Sequence, residues 1–370
     1  MKSLVRWFLV CLVFFGLLSL GHAADKVNLR VLAEGLKHPW SMAFLPDGRV
    51  LVTERPGQLK LIDPAANKVE NIQGLPSIRA SGQGGLLDVV LHPDYASNGW
   101  IYFSYAGPGE SVGGGFGTEV GRARLKGSQL VDWQTLFVLE PKTNRSHHFG
   151  SRLVFDRQGY LFITLGDRGE RDRSQDLNDH AGSVIRLHDD GRVPSDNPFV
   201  GREGLRPEIY SYGHRNMQGA ALHPQTGKLW THEHGPQGGD EINIIRPGEN
   251  YGWPVISYGA EYGSGIPVGD THRPGMQQPL HYWVPSIAPS GMAFYDADQF
   301  PQWKGNLFVG SLKFRLLVRL VIKDEKVVEE QRFLQDTLGR IRDVRVGPDG
   351  FLYLLTDARS GKLARLEPVP

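Results

Sequence analysis

Apolar and polar positions alternate in short runs along the chain, and each run follows a turn built around glycine. The first runs are Leu45-Pro-Asp-Gly-Arg-Val-Leu-Val-Thr-Glu54 and His92-Pro-Asp through Gly99-Trp-Ile-Tyr-Phe-Ser-Tyr105. The pattern returns at 155–166, 223–232, 300–310 and 347–356. Asp-Gly and related pairs supply the positive φ of a hairpin turn, and β-branched and aromatic residues suit the strand that follows. The turn glycines are Gly48, Gly99, Gly159, Gly227, Gly305 and Gly350, separated by 51, 60, 68, 78 and 45 residues. A repeat of that size with several short strands per unit predicts an all-β fold, a six-bladed β-propeller with loops of variable length. A β-sandwich would not account for six copies spread over the whole chain.

The start of the chain breaks the pattern. Lys2 and Arg6 precede an apolar run from Trp7 to Leu20, and Gly21-His22-Ala23 offers small residues for cleavage. This predicts a secretory signal peptide over 1–23 and a single propeller domain over 24–370. The rival reading, a membrane anchor, needs about 20 apolar residues, and this run is shorter. Stable membrane insertion is therefore not expected, and the expected location is periplasmic. Cleavage would remove Cys11, the only cysteine. That excludes a disulfide framework, cysteine-ligated zinc, an iron–sulfur cluster and a cysteine nucleophile.

Composition agrees with many short strands: Gly and Pro make up 70 of 370 residues, above the usual share of about 12%. The formal charge of +1 becomes −1 without Lys2 and Arg6, so no basic excess points to nucleic acid. The glycines at 113–115 lack dinucleotide-loop spacing, and the 107–117 stretch reads as a surface loop. There is no phosphate-binding loop and no H-E-x-x-H.

Chemistry is then expected in loops that converge at one mouth of the ring. Five ordered fragments stand out: GQGGLLDV from Gly82, HHFGSRLVF with Gly166-Asp167, YGHRNMQG from Tyr212, Gly235-Pro236 with DEIN and NYGWP, and GRIRDV from Gly339. Together they resemble the soluble quinoprotein glucose and aldose-sugar dehydrogenases, from about residue 28 to 367. That resemblance implies pyrroloquinoline quinone (PQQ) and Ca2+ as cofactors. It makes His148 the catalytic base and puts Arg215 and Asn216 at the quinone. Lys313, Arg340 and Arg342 would hold the cofactor, Gln83 would contact sugar and quinone, and Tyr262 would wall the pocket. Gly235 and Pro236 would offer carbonyls to one calcium, and Glu241 with the Tyr251 backbone to another. Asp240 would serve either calcium site or only the turn. His147 departs from the acidic residue expected beside the base in glucose-specific relatives, which leaves sugar preference open.

The expected reaction is oxidation of an aldose sugar at C1 to a lactone, with His148 taking a proton as hydride leaves. Electrons would pass to a separate acceptor, a quinone or a cytochrome, because the chain has no haem-attachment motif. A calcium-dependent lactonase and a non-catalytic propeller binding module are the alternatives. The lactonase leaves Lys313, Arg340 and Arg342 without a task, and a binding module would not need His148, Arg215-Asn216 and the Arg-x-Arg pair all at once. His232 and His234 also raise zinc or copper as a weaker option.

Overall fold

A computed structural model describes residues 27–109 and 114–369. Six four-stranded antiparallel sheets follow one another around a ring. Blade I comprises Pro39–Phe44, Val50–Glu54, Gln58–Asp63 and Lys68–Ile72. Blade II comprises Leu86–Leu91, Trp100–Pro108, Phe116–Lys126 and Gln129–Val138. Blade III is Leu153–Phe155, Leu161–Thr164, Val184–Leu187 and Ile209–Ser211. Blade IV is Met217–Leu222, Leu229–Glu233, Asp240–Ile244 and His281–Trp283. Blade V is Pro289–Phe294, Leu307–Ser311, Leu316–Lys323 and Lys326–Phe333. Blade VI takes Ile341–Val346, Leu352–Thr356 and Gly361–Pro368 from the end of the chain. Its fourth strand is Val27–Leu36, paired antiparallel to Gly361–Pro368 with Val27 opposite Pro368.

The expected six-bladed propeller is the observed fold. Each of the six turn glycines lies between the first and second strands of its blade, with φ between +67° and +87°. That left-handed conformation carries no Cβ penalty only in glycine. In blade II the same connection contains one helical turn, Tyr95–Asn98, closed by Gly99. The 107–117 stretch is not all loop: strands run to Pro108 and from Phe116, and Gly107 pairs with Gly117. The expected signal peptide lies outside the described residues. Among those described, no helix is long and apolar enough to cross a membrane.

Buried apolar clusters fill the gaps between blades, as strands apolar on both faces require. Leu51 and Leu61 meet Phe103 and Tyr105 between blades I and II. Met42 and Val52 meet Leu355 and Leu363 where blade VI returns to blade I. Nearer the axis, first strands contribute polar groups instead. Arg152 stands 3.2 Å from Asp88 and 2.9 Å from Asp343. Arg345 closes the set at 2.8 Å from Asp88 and 3.1 Å from Asp343. Two arginines and two aspartates thus alternate, tying blades II, III and VI.

Candidate active site

Loops at one mouth of the ring enclose a cavity of about 310 Å3. Trp40 from blade I, Gln83, Phe149, Asn216, Gln218 and His234 line it, together with Leu312, Arg340, Arg342 and Asp357. Its volume is at the lower end for small-molecule sites. Arg340 and Arg342 are two residues apart at the start of a strand, so their side chains share a face and both reach the cavity. Arg342 is buried, donating to Asp357 at 2.7 Å and to the Gln218 side chain at 3.3 Å. Asp357 also meets His38 at 2.8 Å and Arg340 at 3.5 Å. Burial works to raise the Asp357 carboxyl, but Arg342, His38 and Arg340 bring it well below the usual range. The pair leaves positive charge in excess on this wall.

His148 stands beside the cavity, between the lining residues Gln83 and Phe149. Its backbone is left-handed at φ +56°, and its N–H donates to the Gln83 side chain at 2.8 Å. Its Nδ1 lies 2.6 Å from Asp167. Asp167 in turn accepts from the Gly169 N–H at 2.6 Å and from the Trp253 indole at 2.8 Å. Burial lowers the His148 pKa and Asp167 only partly reverses that, so the imidazole is held below its ordinary value. Burial works upward on Asp167, but the bonds from His148 and Gly169 keep the carboxyl ionised. A neutral ring whose Nδ1–H faces a carboxylate carries its lone pair on Nε2, the arrangement a general base needs.

Arg215 does not line that cavity. It lines a neighbouring cleft with Gly235, Glu241, Tyr251 and Trp253, and His234 borders both spaces. Arg215 donates to the His234 carbonyl at 2.9 Å, and its guanidinium lies 5.3 Å over Trp253. Its Nε is buried with no hydrogen-bond partner among the described residues. Asn216 accepts from the Gly150 N–H at 3.2 Å, which fixes the loop after His148.

The residues expected around calcium are together but unequal. The Gly235 N–H donates to Asp240 at 3.0 Å, and the Pro236 carbonyl accepts from the Tyr262 hydroxyl at 2.7 Å. Asp240 also takes Ser286, Ile287 and Ala288, so both its oxygens hold loops. It serves the turn. Glu241 faces Glu233 across the strand pair. Burial and the Glu233 charge push its carboxyl up. Among the described residues, no three His, Asp or Glu side chains are grouped to hold a metal. Tyr262 is 69% exposed and lines neither space. Lys313 is exposed as well, its ammonium 5.2 Å over the Phe314 ring, while its neighbour Leu312 lines the cavity.

The Glucose / Sorbosone dehydrogenase family matches residues 36–365. The chain belongs to that family. It is 47% identical to "Aldose sugar dehydrogenase YliI" of Escherichia coli (strain K12), over 95% of each chain. A crystal structure of the soluble aldose sugar dehydrogenase from Escherichia coli in the apo form superposes with a TM-score of 0.90 at 46% identity. That match covers 93% of this chain and 100% of the other. The PQQ-bound form of an aldose sugar dehydrogenase from Streptomyces coelicolor gives 0.76 at 29% identity, covering 93% and 99%.

Sequence reasoning passed over several residues of the site. Asp167 sits inside a fragment it singled out, yet received no role. Gln218 was likewise within a fragment. Asp357 carried no local signal. His234, considered only for zinc or copper, donates from Nε2 to the Pro289 carbonyl at 2.5 Å, and burial pushes it down to about 3.

Proposed function

We propose that the protein is an exported aldose sugar dehydrogenase that oxidises C1 of the sugar to a lactone, with PQQ and Ca2+ as cofactors. The observation that carries this reading is the His148–Asp167 pair beside a cavity that Arg340 and Arg342 line. PQQ, when bound, supplies the two-electron acceptor, and calcium supplies Lewis-acid polarisation. The fit favours both. Guanidinium groups suit a ligand with three carboxylates, and the buried Arg215 Nε has a donor to spare. Lys313 would add a cation at the rim. A carbonyl oxygen has two lone pairs, so Pro236 can serve a cation beside Tyr262. Glu241 and the Tyr251 carbonyl are the hard oxygen donors calcium takes, and a cation there would relieve the Glu233–Glu241 repulsion.

Each residue then has a task. His148 Nε2 takes the proton of the anomeric hydroxyl. Asp167 keeps the ring in one tautomer and stabilises it once charged. Gln83 holds the His148 backbone, and Arg215 would offer a fixed positive charge to the quinone as it takes up electrons. Electrons leave to a separate acceptor. A leader over 1–23, which the charged start and apolar run suggest, would place the protein in the periplasm.

Titration of purified apoprotein with PQQ, with and without calcium, tests this reading, with a redox dye and a panel of aldoses reporting turnover. Saturable, calcium-dependent dye reduction is the expected result. No binding and no turnover would remove the reading, and lactone hydrolysis with calcium alone would replace it.

A further inference from the structure

Arg168 is completely buried, yet among the described residues it forms no ion pair with a carboxylate. Its guanidinium instead donates to two main-chain carbonyls, those of His147 and Arg145, each at 2.5 Å. It lies flat enough on the Phe149 ring to stand 3.5 Å from its centroid. Removing a guanidinium from water without a counter-ion is costly, and the burial drives its pKa down to about 9. A methionine or leucine would fill the same space without that cost, so packing alone does not explain the charge.

The two carbonyls explain it. The peptide bond between residues 147 and 148 is held at both ends: its oxygen by Arg168 and its N–H by Gln83 at 2.8 Å. Fixing that plane fixes the left-handed φ of His148, a conformation that persists only where surroundings impose it. The ring is then taken by Asp167, the residue next to Arg168. The flanking glycines complete the fit. A Cβ on Gly166 would come 2.3 Å from the His148 carbonyl oxygen, and one on Gly169 2.0 Å from the His147 ring. Residues 166–169 therefore form a cradle for the 145–148 loop.

We infer that Arg168 is a positioning residue, which sets the His148 ring against Asp167 by clamping the backbone on either side of His147. This deepens the proposed function, since it rests on His148 being the base. Arg168 touches neither the cavity nor the ring itself.

Arg168→Met removes both donors without leaving a buried charge, and Arg168→Lys keeps one. The first readout needs neither sugar nor cofactor: the nitrogen and Nδ1–H resonances of His148 in apoprotein, by NMR. In the Met variant the proton shared with Asp167 should lose its protection and shift. In the Lys variant it should be partly retained. The ring is also faced by Arg215, His147 and His234, which neither variant alters. The second readout is turnover of the calcium- and PQQ-loaded enzyme. Displacing a base by about 1 Å costs on the order of 100-fold. The Met variant should therefore lose kcat by that order, with PQQ affinity within about threefold, and Lys should recover roughly tenfold. Unchanged His148 resonances in a folded variant would overturn the inference, as would a lower melting temperature with kcat and its pH profile intact. If the wild-type protein oxidised no sugar, the proposed function would fall while the apoprotein NMR still decided the role of Arg168.

Discussion

At His148 two opposed effects decide the chemistry. Burial pushes the imidazole below its ordinary value of 6.5, and Asp167 pulls it back only in part. A base works unprotonated, so kcat/KM should fall as pH drops through a midpoint below 6.5 and be level above it. Asp167→Asn separates the effects. Asp167 accepts from His148 and Gly169 on one oxygen and from Trp253 on the other. An amide cannot accept on both sides, so it either loses Trp253 or turns its NH2 to the ring and imposes the wrong tautomer. Turnover should drop by roughly 100-fold or more. The residual acid limb should move to lower pH, because the charge that raised the imidazole is gone. A rate within a few-fold of wild type would mean that Asp167 only packs. This dependence was not legible in the sequence. His148, Arg215, Asn216, Arg340 and Arg342 lie in ordered fragments that a resemblance can align. Asp167, Gln218, His234 and Asp357 acquire meaning only when loops from different blades meet, and nothing local marks them.

The blade is the unit in which the sequence was most readable, and the reason is steric. Each first hairpin needs one residue with positive φ, and glycine takes it without strain, so the turn leaves a mark in every repeat. Gly159 has φ +84° with nothing within 4 Å of where a Cβ would sit. Gly159→Ala therefore tests the backbone term free of any clash. It should lower unfolding stability by about 1 kcal/mol, read from the urea midpoint at constant slope. Asn, which tolerates the left-handed region, should cost less. A neutral alanine variant would show that the turn can relax. Two features escaped the same reading. Val27–Leu36 crosses from the start of the chain to finish blade VI, a partnership over some 330 residues that no local pattern encodes. In the 107–117 stretch, repeated glycine suggested a loop, but neighbouring strands continue through Gly107 and Gly117 because pairing across the hairpin outweighs their weak strand preference.

Across the whole molecule, the ring closes on charge as well as on apolar surface. Arg152 reaches from blade III to Asp88 in blade II and Asp343 in blade VI. Its Nε donates to the Gln218 carbonyl of blade IV at 2.8 Å, and its guanidinium lies 4.1 Å over the Trp40 ring of blade I. One side chain thus contacts four other blades, and two of its partners, Trp40 and Gln218, line the cavity. The first strands that carry the axial charges also set the floor of the site. Arg152→Met tests how far closure rests on this set. Asp88 and Asp343 would keep only Arg345, leaving a buried excess of negative charge. Loss of one partner from such a group costs about 3–5 kcal/mol. The urea midpoint should fall accordingly, with no new transition if the blades unfold together. Restoring neutrality by adding Asp343→Asn should recover part of the loss, because the penalty comes from the uncompensated aspartates and not from the missing side-chain volume. If the double variant is as unstable as the sum of the two singles, the axial charges act independently and apolar packing between blades closes the ring.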